Sequence, residues 1–84
     1  MPEFIFTKYA EKKFLKLPLI ERNRIFEKLK ELKVCDNIFP FLRKLVDFEP
    51  ATHRLRIGNY RLILMLDKGD FLILDVGHRR DIYR

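Results

Sequence analysis

The sequence predicts an α+β fold: an N-terminal strand, a two-helix hairpin, then a three-stranded antiparallel meander (β-α-α-β-β-β), with the helices packed on one sheet face. Three observations predict it. Residues 8–33 repeat apolar positions at helical spacing. Residues 53–77 form β-prone runs split by two tight-turn signals. The chain has 84 residues, room for one modest core and hence one domain over residues 1–84.

Each element has its own local reason. "PEFIF" is short and β-prone, a plausible first strand, and Thr7 is placed to cap a helix starting at residue 8. In "KYAEKKFLKL" the apolar residues Ala10, Phe14 and Leu17 fall on one helical stripe. Pro18 ends that helix or opens the next, since proline fits a first helical turn. "LIERNRIFEKLKELK" carries Ile25, Phe26, Leu29 and Leu32 on one face, with Glu, Lys and Arg opposite. "CDNIFPFLRKLVDFEPAT" reads as a connector packed on the body through Phe39, Phe41, Leu42, Leu45 and Phe48. The strands "HRLRI" and "YRLILML" flank Gly58-Asn59, and "DKGD" turns the chain into "FLILDVG". The N-terminal strand can join this meander to make a four-stranded sheet.

Composition narrows the class. Hydrophobic residues make up 48% and charged residues 36%, a globular rather than a disordered balance. The longest aliphatic run, "LILML", is far short of the ~20 residues that cross a bilayer, so no membrane association is expected. The start, with Glu3 and no long apolar stretch, does not read as a secretion signal. A lone Cys35 makes no internal disulfide, and no metal-ligand spacing is present. The expectation is a reduced, cytoplasmic protein with no cofactor and no metal.

The formal net charge is +6, which points to a polyanion partner, although an acidic protein would also satisfy it. Residues 1–52 hold 11 basic residues against 8 acidic ones, mostly lysine interleaved with glutamate as on solvated helices. Residues 53–84 hold 7 against 4, mostly arginine at strand ends, and the guanidinium fork suits bidentate phosphate contact. Alternation puts Arg54 and Arg56 on one face of their strand and Leu55 and Ile57 on the other. Arg61 falls with Ile63 and Met65, away from Tyr60, Leu62 and Leu64. In the last strand, alternation groups Leu72, Leu74 and Val76 against Ile73, Asp75 and Arg79. Helices on the aliphatic side would leave Arg54, Arg56, Arg61 and Arg79 together on the open side. Simpler roles stand beside this one: a solvated face for Arg54 and Arg56, and an ion pair from Arg61 to Asp75. His53 is expected at the surface, and Tyr60 and Phe71 in the core.

The pieces "HRLRIGNYRLIL", "DKGD" and "LDVGHRRDIYR", in this order and spacing after a strand–helix–helix start, resemble the RelE/ParE superfamily of bacterial and archaeal toxins. The likeness covers essentially the whole chain and is strongest over residues 53–84. It implies a toxin made with an antitoxin partner in a hetero-oligomeric complex. On the RelE branch it implies metal-independent cleavage of mRNA in the ribosome, by attack of a ribose 2′-hydroxyl on the adjacent phosphate. That chemistry needs a base, cations for the phosphorane and an acid for the leaving 5′-oxygen. By resemblance, Arg61 and Arg79 hold the scissile phosphate, and Arg54 and Arg56 take the family's pair of basic positions, where some members have lysine. Tyr83 matches a C-terminal tyrosine that serves as base or as a stacking platform, and His78 a variable position that some relatives use in acid–base work. A phenol, with an ordinary pKa of about 10, needs neighbouring cations before it can act as a base. Two other functions share the fold: a ParE-like inhibitor of DNA gyrase, and a degenerate module that only binds its antitoxin.

Overall fold

The computed structural model describes residues 2–82. Strand β1 (Phe4–Phe6) leads into α1 (Lys8–Leu15) and α2 (Leu19–Lys33); β2 (Leu42–Lys44), β3 (His53–Ile57), β4 (Tyr60–Asp67) and β5 (Asp70–His78) come after them. The strands form one five-stranded sheet in the order β1-β5-β4-β3-β2. The meander β3-β4-β5 is antiparallel as expected, whereas β1 runs parallel to β5, so the sheet is mixed.

Thr7 is where sequence, helix start and sheet meet. Its backbone is extended (φ −70°, ψ 162°), and its Oγ1 accepts from the Ala10 amide at 3.2 Å, satisfying one orphan donor of α1. The same hydroxyl donates to the Ile73 carbonyl at 3.0 Å, fastening α1 to β5. Thr7→Ala is expected to lower unfolding free energy by about 1–2 kcal/mol, and Thr7→Ser by much less. Urea denaturation of both variants checks this; equal losses would show that the methyl, not the hydroxyl, matters.

The turns obey their residues. Gly58 has φ +59° as the first residue of its two-residue loop, a geometry that favours glycine. At the β4–β5 turn both Lys68 (φ 51°) and Gly69 (φ 88°) are left-handed, the mirror-image turn that matches strand twist.

The apolar faces of helices and sheet close a core of Ala10, Ile25, Leu29, Leu32, Ile38, Leu55, Ile57, Leu62, Leu64, Phe71, Ile73 and Val76. Phe71 stacks on Phe4 with centroids 5.6 Å apart. No charged or polar residue is buried among those described. Two expectations are corrected here. Phe26 is 55% exposed, one step off the Ile25–Leu29–Leu32 stripe. In the connector Ile38 and Ala51 are buried, Leu42 and Leu45 are half-buried, and Phe39, Phe41 and Phe48 are exposed. The connector also contains a 3-10 turn (Phe39–Phe41) and β2, a fifth strand. A strand of three residues is too short for alternation to show.

The largest departure lies in β5. Leu64 pairs with Ile73 but Ile63 pairs with Asp75, so Leu74 is an extra residue, a β-bulge. The bulge reverses the alternation partway along the strand. Phe71, Ile73 and Val76 therefore all face the helices, while Leu72 and Leu74 are only half-buried. The expected grouping of Leu72 and Leu74 with Val76 is overturned, because strict period two assumes no inserted residue.

Candidate nucleic-acid interface

The ladder places the arginines in register. Arg56 lies directly opposite Arg61, and Arg54 lies directly opposite Arg43 on the edge strand β2. Leu55, Ile57, Leu62 and Leu64 point into the core, so by alternation these four arginines share the face away from the helices. Two cross-strand pairs of like charge oppose folding. Clustering four cations on one face suits a surface that meets a polyanion.

Arg61 Nη1 donates to the carbonyls of Tyr60 (3.1 Å) and Gly58 (3.3 Å), which holds its guanidinium against the β3–β4 turn. On its other side Arg61 faces Gly77 of β5. Arg79 comes two residues later and is exposed; its amide donates to the Asn59 carbonyl at 2.8 Å, so the ladder continues past β5 beside the same turn. Arg79 thus stands at the rim of the arginine face. Asp75 lies opposite Ile63, on the Arg61 side, but its Oδ1 accepts from Lys13 of α1 at 2.6 Å and from the Val76 amide at 2.8 Å. Its carboxylate is anchored to the helix.

His78 is opposite Tyr60, the two rings edge to face at 5.5 Å, on the helix side of the sheet. The structure therefore separates His78 from the arginines. Tyr83 lies outside the described residues. Arg43 is absent from the sequence-derived set because its strand lies within a connector that carries no alternation. Its only sequence signal is the basic pair "RK" after an apolar residue.

His53, expected at the surface, is half-buried between Phe39 and Phe71, each ring centroid 5.7 Å away, with Nδ1 2.8 Å from the Thr52 hydroxyl. Its pKa lies below the ordinary 6.5, first because burial disfavours the cation and second because Lys44, its cross-strand neighbour, repels it. The unfolded chain then binds this proton more readily than the folded one. Stability from His53 is fully present above pH 6.5 and declines as pH falls from there through the lowered value. His53→Gln is expected to flatten that part of the stability–pH curve, read by urea denaturation at a series of pH values; an unchanged slope would refute the assignment.

Among the described residues no group of His, Cys, Asp and Glu has the arrangement of a metal site, and no helix is long and apolar enough to cross a membrane. Chemically, the face offers fixed cations and hydrogen-bond donors.

Comparison with known proteins bears on the family and the fold. Residues 4–83 match the family described as the ParE toxin of type II toxin-antitoxin systems, parDE. Among solved structures, the chain is similar to one in the toxin–antitoxin complex RelBE2 from Mycobacterium tuberculosis (26% identity, TM-score 0.78, covering 94% of this chain and 100% of that one). It is also similar to one in the RelB–RelE antitoxin–toxin complex from Methanococcus jannaschii (25% identity, TM-score 0.71, 94% of each chain). The archaeal RelE–RelB complex from Pyrococcus horikoshii shares the fold at 22% identity and TM-score 0.71, over 95% of this chain and 97% of that one. By sequence, no curated protein matches.

Proposed function

The chain belongs to the ParE toxin family of type II toxin–antitoxin systems, and from this premise we propose that it kills or arrests by cutting mRNA on the ribosome. The observation that carries the reading is the in-register pairing of Arg56 with Arg61 and of Arg43 with Arg54, with Arg79 at the rim. A surface that only had to stay soluble would not set like charges directly opposite one another.

In this reading the message lies across the open sheet face. Arg61 and Arg79 hold the scissile phosphate, and Arg54, Arg56 and Arg43 neutralise the phosphates beside it. The ribose 2′-oxygen forms a bond to phosphorus, the bond from phosphorus to the 5′-oxygen breaks, and the products are a 2′,3′-cyclic phosphate and a free 5′-hydroxyl. The guanidinium groups stabilise the added charge of the phosphorane. Tyr83 remains the candidate base. His78 would act only from the opposite side of the strand, so it ranks below the arginines. The partner expected to silence the protein is an antitoxin with an acidic and apolar segment that covers this face, in the same cytoplasmic compartment as the ribosome.

The test is direct. Purified protein is added to ribosomes programmed with a defined message, and the new 3′ ends are mapped and assayed for the cyclic phosphate. Cleavage at the ribosomal A site supports the reading. The matched family is that of the ParE toxin, and the resemblance to that branch implies a second reading, inhibition of DNA gyrase by binding. Intact message together with blocked supercoiling would select it.

A further inference from the structure

Beyond the arginine face, the end of β5 borders a cavity of about 290 Å³, lined chiefly by Lys13, Lys16, Tyr60, Gly77, His78 and Asp81. It lies on the helix side of the strand that carries Arg79. Gly77 belongs to both places: it lines the cavity, and it is the cross-strand partner of Arg61, about 5 Å away. Gly77 is buried, and a methyl group on it would meet Ile82 Cδ1 at 3.3 Å and Lys13 Nζ at 3.7 Å, so the bare backbone lets Ile82 and Lys13 pack close against the strand here. Gly77, His78 and Arg79, three consecutive residues, thus connect the cavity to the arginine rim.

The cavity has the chemistry of a nucleotide site. Lys13 is held in place by Asp75, and its ammonium retains further donors. Lys16, exposed just past α1, forms no ion pair among the described residues and supplies an uncompensated cation. The rings of Tyr60 and His78 offer an aromatic wall, and Asp81 an acceptor for a base amino group.

We propose that this cavity is a second RNA subsite, taking the nucleotide next to the scissile linkage, with Lys16, aided by Lys13, binding that nucleotide's phosphate. The inference rests on the ribonuclease reading above.

The experiment removes the charge from one side of the contact at a time. Messages carry a neutral methylphosphonate at the linkage on either side of the scissile one, and ribosomes programmed with them are treated with wild type, Lys16→Ala or Lys16→Arg. For one of the two positions, wild type and Lys16→Arg should cut the modified message about fivefold more slowly than the native one. Lys16→Ala should be slow on the native message and no slower on the modified one, because the contact is already lost. If the two losses multiply, or if neither modification slows wild type, the subsite does not exist, and Lys16 at most touches ribosomal RNA. If wild type fails to cut even the native message, the ribonuclease reading itself has failed, and the subsite falls with it.

Discussion

Arg61→Ala should slow message cleavage by about a hundredfold to a thousandfold, the usual loss when one preorganised donor to a developing oxyanion is removed. Arg61 is held in place by the carbonyls of Gly58 and Tyr60, so its fork is oriented before substrate arrives. Those same bonds brace the β3–β4 turn, and a loss of stability has to be separated from a loss of chemistry. Arg79→Ala provides the control. Arg79 is exposed, and its hydrogen bond to Asn59 is through the backbone amide, which alanine keeps. Its removal should cost similar activity with an unchanged melting temperature. Single-turnover cleavage on programmed ribosomes, with thermal unfolding of each variant, makes the comparison. Arg61→Lys should recover only part of the rate, because an ammonium keeps the charge and loses the bidentate geometry. Near-normal cleavage by both alanine variants would remove the arginine face from the mechanism.

Phe71→Ala should destabilise the fold by about 3–5 kcal/mol, a large share of the roughly 5–15 kcal/mol typical of a small domain. The ring is 1% exposed, stacks on Phe4, meets Phe39 edge-on and presses on His53. It ties β1, β5 and the connector into one core, so its loss leaves a cavity that three separate segments would have to fill. Phe71→Leu, which keeps most of the apolar volume, should cost about 1–2 kcal/mol. Urea denaturation measures both, and a cost below about 1 kcal/mol for the alanine variant would show that the neighbours collapse into the gap.

The helices and the meander are legible because their signals are local. α2 begins after Pro18 and runs Leu19–Lys33 as the stripe of Ile25, Leu29 and Leu32 indicates, and β3 spans His53–Ile57, matching "HRLRI". The face shared by Arg54, Arg56 and Arg61 also comes from alternation within single strands. The legible part ends where a residue's position depends on its neighbours across the sheet. Arg43 enters the site only because β2 pairs with β3. His53 is half-buried only because Phe39 and Phe71 close around it.

The amino-acid order by itself determined the elements, their turns and the charge of the open face, since capping, periodicity and turn chemistry act over a few residues. Tertiary structure alone decided the parallel pairing of β1, the bulge at Leu74 that turns Ile73 and Val76 to the same side, and the meeting of Arg43 with Arg54. Those outcomes depend on which strands come to lie side by side. That pairing is settled by burying one common core, a condition that no short stretch of the chain contains.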